Sequence, residues 1–200
     1  MYVIWRKAFV LLIIAPFLFF SIGANGAAAQ DQRECTTCSP ESRRVAAELV
    51  AAINERLAIA ISVAAAKRVT GAAIDDPVRE AQAAQAVSDL VSPAGVSEAD
   101  ARAFIQSQFD ANKFIQATLF RQWSERPETI PSGEPPNLVT QVRPALDSIT
   151  QRLARAYTDA WTLSQEHPRR WSRVISPYQD NHSGQWRWQR LAEQLALSAL

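Results

Sequence analysis

The sequence predicts an all-α protein, a bundle of about six helices of which three are long. Three observations predict this class. Glycine is scarce, with 6 residues in 200, while alanine is abundant, and alanine is the best helix former. Apolar residues recur three and four positions apart through most of the chain, which is the period of an amphipathic helix. No run of alternating apolar and polar residues is long enough to indicate a strand.

The first 29 residues have the three parts of a secretory signal peptide. Arg6 and Lys7 give a positive start, residues 8–22 are almost wholly apolar, and Ala27–Ala29 offers a small-residue cleavage site. The apolar run of about 15 residues is short for a membrane-spanning helix, which needs about 20. We expect cleavage after this site and a single mature domain, residues 30–200, that is periplasmic or secreted and has no later membrane span.

Cys35 and Cys38 follow the cleavage site in the motif Cys-Thr-Thr-Cys. In an oxidising compartment such a pair is expected to form a local disulfide. The alternative is a redox centre, but thioredoxin-type chemistry places its C-x-x-C motif after a strand, and no strand is predicted here. A zinc site would need more ligands than are spaced nearby, so no metal is predicted.

The first predicted helix begins at Ser39-Pro40 and runs to about Val69. Serine is a good N-cap and proline fits the first helical position, while Thr70-Gly71 provides the stop. Two of the side chains expected to face inward are cations. The full inward set is Leu49, Ile53, Arg56, Ala60, Val63 and Lys67.

Two further helices follow, each with a capping residue at its start. Asp76-Pro77 opens the second, which runs to about Val91. Ser97, with Asp100 three residues on, opens the third, which runs to about Glu125. A turn at 92–95 separates them. The inward stripe of the third helix mixes apolar and amide side chains: Phe104, Gln108, Phe109, Asn112, Ile115, Gln116, Leu119 and Trp123.

Residues 126–137 form a predicted loop, since they include four prolines and a glycine. A fourth helix is expected from Leu138 or Val142 to His167, because Pro144 is tolerated only in a first turn. Its inward stripe comprises Leu146, Ile149, Leu153, Ala156, Ala160 and Leu163. Two shorter helices, at about 169–175 and 184–199, complete the bundle.

Arg56 and Lys67 break the apolar stripe of the first helix. Eleven residues are three turns plus about 20°, so the two cations point the same way, about 16 Å apart along the axis. Gln108, Asn112 and Gln116 break the stripe of the third helix. Buried cations and amides cost several kcal/mol unless they are paired. Either these side chains reach the edge of the bundle or bond neighbouring groups, or an anionic ligand inside the bundle supplies the missing charge.

Arg79 and Arg143 lie at the starts of the second and fourth helices, where a cation opposes the helix dipole. Glu80 could offset that cost for Arg79. The other interpretation is that Arg79 and the free backbone N–H groups face an anion together.

Other chemistry has little support in the sequence. Without the two leader cations, 19 basic side chains stand against 20 acidic ones, so nucleic acid is not an expected partner. His167 and His182 lie in turn-rich segments, where solvated histidines are expected. The tryptophans near the C-terminus are more typical of a core or a dimer surface than of a binding platform. They are Trp171, Trp186 and Trp188.

The ordered set of motifs resembles the secreted, γ-class helical chorismate mutases, which have a chorismate mutase type II-like fold. The resemblance runs from about Ala51 to Asp147. Its pieces are Glu55-Arg56-Leu57, Lys67, Ile74 to Glu80, Gln108 to Gln116, Phe120 to Trp123, Pro135 to Leu138 and Arg143.

The resemblance implies an all-α homodimer with each active site built within one chain. It implies conversion of chorismate to prephenate by an intramolecular Claisen rearrangement, on the branch to phenylalanine and tyrosine, without cofactor or metal. A concerted bond shift of this kind needs no nucleophile. It is helped by holding the dianionic substrate in its reactive conformer and by donors aimed at the ether oxygen, where negative charge grows.

The resemblance also implies a role for each matching residue. Arg56, Arg79 and Arg143 bind the substrate carboxylates, a role that suits the planar fork of arginine. Lys67 donates to the ether oxygen, and Gln116 donates to it from the other side. Asn112, one turn before Gln116, bonds the substrate hydroxyl or a carboxylate.

Three departures from the family pattern bear on these assignments. Some relatives have glutamate in place of Gln116, and some have a polar side chain in place of Ala83. Some staple their C-terminal helices with a disulfide, for which this chain has no cysteines. Two alternatives to an enzyme stay open on the sequence alone. One is a non-catalytic periplasmic helical binder of small carboxylates or of a protein partner, and the other is a helical adaptor without a ligand.

Overall fold

The computed structural model describes residues 38–180 and Ala196, all within the compact unit Gln32–Leu200. Over this part of the chain the predicted all-α class is confirmed. The six described α-helices are α1 Pro40–Ala58, α2 Ala60–Thr70, α3 Pro77–Val91, α4 Glu98–Glu125, α5 Arg143–Glu166 and α6 Pro168–Asp180. The predicted signal peptide, Cys35, His182, Trp186, Trp188 and the predicted helix at 184–199 lie outside the described residues, except that Ala196 is helical and buried.

The first predicted helix is divided in two at Ile59. Ser39 caps α1 by accepting a hydrogen bond from the Ser42 N–H at 3.2 Å, and Gly71 ends α2 in the left-handed region at φ 68°. Ile59 keeps helical angles, φ −68° and ψ −14°, with ψ nearer to that of a 3₁₀ turn. The two segments have different main neighbours, since α1 packs mostly against α5 and also contacts α4 and α6, whereas α2 packs mostly against α4 and residues 138–142.

Helices α3 and α4 begin at the predicted caps. The Asp76 carboxylate accepts from the Arg79 N–H at 3.2 Å, ahead of Pro77. Ser97 accepts from the Asp100 N–H at 3.1 Å. Between the two helices, the short 3₁₀ helix Ser92–Ala94 ends at Gly95, whose φ of 79° suits glycine.

Both starts predicted for the fourth helix correspond to real features. A π-helical turn, Leu138–Val142, is capped by the Asn137 side chain and leads directly into α5. The following helix α6 is longer than predicted and passes through Pro177. A proline in a helix interior removes one backbone hydrogen bond, but the buried side chains of Trp171, Val174 and Ile175 hold α6 in the core.

The core is built from the predicted stripes. Every member of the stripes on the first and third predicted helices is buried, and Ile149, Leu153 and Ala160 are buried on α5. Phe104 and Tyr157 stack with ring centroids 3.9 Å apart, joining α4 to α5. Helix α5 packs against α1, α3 and α6, and α4 packs against α1, α2 and α3. This arrangement leaves α1–α2, α3, α4 and α5 facing one another around a shared interior.

The stretch Pro40–Thr70 departs from the expectation that no later segment could span a membrane. Among the described residues it is long and apolar enough to do so by length and composition. Half of its most apolar window is nevertheless buried inside the fold, and its inward face carries Arg56 and Lys67. Burial of one face against neighbouring helices is the pattern of a core helix.

Cys38 is disulfide-bonded, although Cys35, the other cysteine of the chain, lies outside the described residues. The Arg43 guanidinium donates to the Cys38 carbonyl at 2.7 Å. This contact fixes the segment before α1 to the first turn of the helix.

Candidate active site

All six residues that the family resemblance assigns to the substrate site line one cleft among α1–α2, α3, α4 and α5. The empty volume of the cleft, including its open mouth, is about 720 Å³. The six residues are Arg56, Lys67, Arg79, Asn112, Gln116 and Arg143.

Arg56 is the most buried of the three cleft arginines, with 5% of its surface exposed. Its Nη1 donates to the Thr150 hydroxyl at 2.9 Å, and its guanidinium carbon lies 5.4 Å from the centroid of the Phe109 ring. Its Nε is buried and has no hydrogen-bond partner among the described residues. Burial lowers the pKa of Arg56 to about 10, against the opposing charge of Asp147, so the side chain is still a cation near neutral pH.

Lys67 is 8% exposed and points into the cleft from the last turn of α2. Its ammonium donates to the Ile74 carbonyl at 2.6 Å, which leaves other N–H groups of the ammonium for a ligand. Burial lowers the pKa of Lys67, while the carboxylates of Asp76, Glu80 and Asp75 act in the opposite direction.

Asn112 and Gln116 lie one turn apart on α4 and form a short chain of hydrogen bonds. Gln116 Nε2 donates to Asn112 Oδ1 at 2.7 Å, and Asn112 Nδ2 donates to the Arg56 carbonyl at 3.2 Å. An amide nitrogen carries two N–H groups, so Gln116 has a second donor. Gln116 Oε1 is buried and lacks a hydrogen-bond partner within the described part of the chain.

Gln108, the first amide of the same stripe, does not line the cleft. Its side-chain nitrogen donates to the Ala196 carbonyl at 2.7 Å and to the Ser107 hydroxyl at 3.2 Å. Gln108 therefore ties α4 to the C-terminal part of the chain. Equal spacing along a helix does not give equal surroundings, because the helix passes different neighbours at each turn.

Arg79 and Arg143 lie nearer the mouth of the cleft, and each meets an acidic side chain. Arg79 forms an ion pair with Asp147 on α5, and Arg143 lies 3.5 Å from Asp76. Glu80, which the sequence offered as the neighbour that offsets Arg79, instead pairs with Lys113 at 3.2 Å. The charge of Arg79 is therefore balanced by a carboxylate on another helix, that of Asp147.

Several further residues of the cleft had little sequence signal. Thr150 follows the stripe residue Ile149, and in the sequence it looks like an ordinary polar residue at the edge of an apolar face. Asp147 and Lys113 resemble ordinary surface charges. Their place in the cleft depends on how α4 and α5 pack, which local sequence does not encode.

The charges that line the cleft are unequal in number. Five are cationic and three are acidic, a net charge of +2 near neutral pH, and the apolar walls include Val63, Phe109 and Leu146. Such a lining suits a small dianion with an apolar body. Among the described residues, no group of three or more histidine, cysteine, aspartate or glutamate side chains could hold a metal ion.

Of the histidines and C-terminal tryptophans considered in the sequence, His167 and Trp171 fall within the described residues, and both lie away from the cleft. His167 is exposed and follows α5 as its C-cap, and Trp171 is buried in the core. Both positions agree with the expectations of a solvated histidine and a core tryptophan.

Comparisons with known proteins give matches of one kind. Residues 41–117 match the family model described as chorismate mutase type II. The secreted chorismate mutase of Mycolicibacterium smegmatis is 31% identical over 115 residues, which are 58% of this chain and 62% of that protein. The chain thus spans less than two thirds of the length of that curated relative.

Two solved structures have a similar fold. The chorismate mutase from Burkholderia thailandensis superposes with a TM-score of 0.66 at 34% identity, over 78% of this chain and 98% of that one. The chorismate mutase from Burkholderia phymatum gives a TM-score of 0.64 at 24% identity, over 79% and 96% of the two chains, and this second likeness shows the fold alone. With near-complete coverage of a relative more than 30% identical, and with a matching family model, this chain belongs to the chorismate mutase family.

Proposed function

We propose that this protein converts chorismate to prephenate by an intramolecular Claisen rearrangement, using the cleft lined by Arg56, Lys67 and Gln116. The observation that carries the proposal is the set of buried cations and amides gathered in one cleft of net charge +2. Chorismate is a dianion with a compact apolar ring, so its charge and size suit this lining.

The reaction moves electrons within one molecule. The ether C–O bond breaks as a new C–C bond forms, and the atoms of chorismate and prephenate are the same. The protein therefore has to select a reactive conformer and stabilise the negative charge that grows on the ether oxygen. It does not have to supply a nucleophile or exchange a proton with the substrate.

The carboxylates are held in this proposal by Arg56, Arg79 and Arg143. Arg56 is fixed by Thr150 and has a buried Nε with no partner among the described residues. A buried donor without a partner costs about 1–3 kcal/mol, and a ligand carboxylate would remove that cost. Arg79 and Arg143 approach from the starts of α3 and α5, nearer the mouth.

In this proposal Lys67 and Gln116 donate hydrogen bonds to the ether oxygen. Both side chains are buried, and a donor excluded from water stabilises charge more strongly than one in solvent. Asn112 accepts from Gln116 and so orients the amide. Asn112 also lines the cleft, where it could bond the substrate hydroxyl or a carboxylate.

We further propose that the protein acts in the periplasm or outside the cell, after removal of residues 1–29, and that it is a homodimer. The disulfide of Cys38, the signal-like leader and the secreted relative support export. The protein would be free of the membrane after cleavage. Its product would enter the phenylalanine and tyrosine branch. Amino-terminal sequencing of the exported protein and light scattering in solution test cleavage and dimerisation.

The test of the function is a turnover assay. Purified residues 30–200 are mixed with chorismate without added cofactor or metal, and the ultraviolet absorbance of chorismate is followed. We expect rapid loss with prephenate as the product. Saturable binding of chorismate by a folded, helical sample that forms no prephenate would contradict the proposal and favour a carboxylate-binding protein.

A further inference from the structure

Asp147 is an acidic side chain inside a cleft otherwise suited to anions. It lies on α5, one helical turn after Arg143, and lines the cleft. Its carboxylate forms an ion pair with Arg79 of α3. Its charge also raises the pKa of Arg56, in opposition to burial. One carboxylate therefore acts on two of the three arginines that are proposed to bind substrate carboxylates.

The pair between Arg79 and Asp147 is open to solvent. Their side chains are 37% and 53% exposed, and ion pairs of this kind contribute little to stability because water and salt screen them. The Arg79 guanidinium also contacts the Gln82 side chain at a long 3.5 Å. Neither contact holds Arg79 firmly, so an incoming anion can displace Asp147 at small cost.

We propose that Asp147 is an internal competitor of the substrate. Its carboxylate pairs with the Arg79 guanidinium when no anion is bound, and it leaves the guanidinium when a dianionic ligand binds. This inference rests on the proposed function to the extent that a substrate carboxylate is the natural occupant of Arg79. Asp147 then acts as a specificity-determining residue, because a ligand must bring enough negative charge to replace it.

The competition affects product as well as substrate. The rearrangement changes neither carboxylate of chorismate, so prephenate meets the same arginines. A carboxylate that returns to Arg79 lowers the affinity for both molecules and favours release. Removing it should therefore tighten the binding of dianions in general.

The experiment measures binding of malonate, a simple dicarboxylate, to residues 30–200 by calorimetry. We expect Asp147→Asn to lower the dissociation constant about two- to fivefold, as suits an exposed ion pair. Asp75→Asn is the matched control. It removes one negative charge that acts on Lys67 and Lys113 without touching Arg79, and we expect less than half of that effect. Thermal melting of each variant confirms folding.

A double-mutant cycle separates competition from a general change of charge. In an Arg79→Gln background, Asp147→Asn should improve malonate binding much less, because the contested guanidinium is gone and only the effect of the Asp147 charge near Arg56 is removed. Equal improvement in both backgrounds would overturn the proposal. Weaker malonate binding by Asp147→Asn would also overturn it, since Asp147 would then be orienting Arg79. If neither the wild type nor Asp147→Asn bound malonate measurably, the proposal would also be overturned.

Turnover of chorismate by the wild-type protein is measured separately. If prephenate forms, Asp147→Asn should lower KM by a factor similar to that for malonate, without raising kcat. If no prephenate forms but Asp147→Asn still tightens malonate binding, the proposed function fails while the competitor role stands.

Discussion

Arg56 and Lys67 are stabilised in the interior by different kinds of contact. The Thr150 hydroxyl and the face of Phe109 contact the Arg56 guanidinium, while Lys67 donates to a backbone carbonyl, that of Ile74. A guanidinium needs several partners in fixed directions, whereas an ammonium can rotate its three donors. The position of Arg56 should therefore be more sensitive than that of Lys67 to the loss of one neighbouring side chain.

Thr150→Val is expected to lower kcat/KM for chorismate about tenfold, because a hydrogen bond to a buried charged group contributes about 1.5–3 kcal/mol. Valine keeps the shape of the side chain but cannot accept from Arg56. Thr158→Val on the same helix is the control, since its hydroxyl bonds the Ala154 carbonyl and does not line the cleft. Equal activity of the two variants would show that Thr150 does not position Arg56.

The amide of Gln116 gives the reaction a simple pH dependence. An amide donates at any pH, so kcat/KM should be flat from pH 5 to 8. Lys67 must keep its proton to act. Because burial lowers the pKa of Lys67, activity is present below that pKa and is lost as the pH rises through it. The loss should begin below pH 10.5, the ordinary value for lysine.

Gln116→Glu tests whether the flat pH dependence is due to the amide of Gln116. Burial raises the pKa of a carboxyl group, and only its protonated form can donate to the ether oxygen. The variant should lose activity as the pH rises through that pKa, while the wild-type rate stays level. A steep fall of the wild-type rate just above neutrality would contradict the role given to Gln116.

At the scale of the elements, the connection from α2 to α3 matters most for the cleft. It begins at Gly71, contains Ile74, whose carbonyl accepts from Lys67, and ends at Asp76, which both caps α3 and faces Arg143. A short turn thus sets the position of Lys67 relative to two neighbouring helices.

Gly71→Ala should lower the free energy of unfolding by about 1–2 kcal/mol, because alanine is strained in the left-handed region. No atom lies within 4 Å of the position where the added Cβ would stand, so the cost is conformational rather than a clash. Gly71→Asn is the matched variant and should cost less, since asparagine tolerates this conformation. Chemical denaturation of both variants measures the difference, and equal losses would argue against backbone strain.

Most element boundaries could be predicted because their signals are local. Ser39, Asp76 and Ser97 each cap a helix where the sequence indicates one, and Gly71 and Gly95 end helical segments with positive φ. The division at Ile59 could not be predicted, since no glycine or proline marks it. It accompanies a change of the main neighbour from α5 to α4, which only the tertiary fold determines.

At the scale of the whole molecule, the cleft joins residues that are far apart in sequence. The cations Arg56 and Lys67 and the amides Asn112 and Gln116 could be predicted because each breaks an apolar stripe on its own helix. Arg79 and Arg143 could be predicted because each is a cation at a helix start. Thr150 could not be, since its partner Arg56 lies 94 residues away and nothing local relates the two. The ion pair of Asp147 with Arg79 likewise could not be predicted, because it forms only when α5 packs against α3.

Replacing Lys67 tests the central claim most directly, because it is the residue proposed to stabilise the developing charge. Chorismate turnover is compared for wild type, Lys67→Ala and Arg68→Ala, the last an exposed cation on the same helix outside the cleft. Loss of one such donor costs about 10²–10³ in kcat in comparable sites. We expect at least that loss for Lys67→Ala, with unchanged helical circular dichroism and near-normal turnover for Arg68→Ala. Retention of most of the activity by Lys67→Ala would contradict the account.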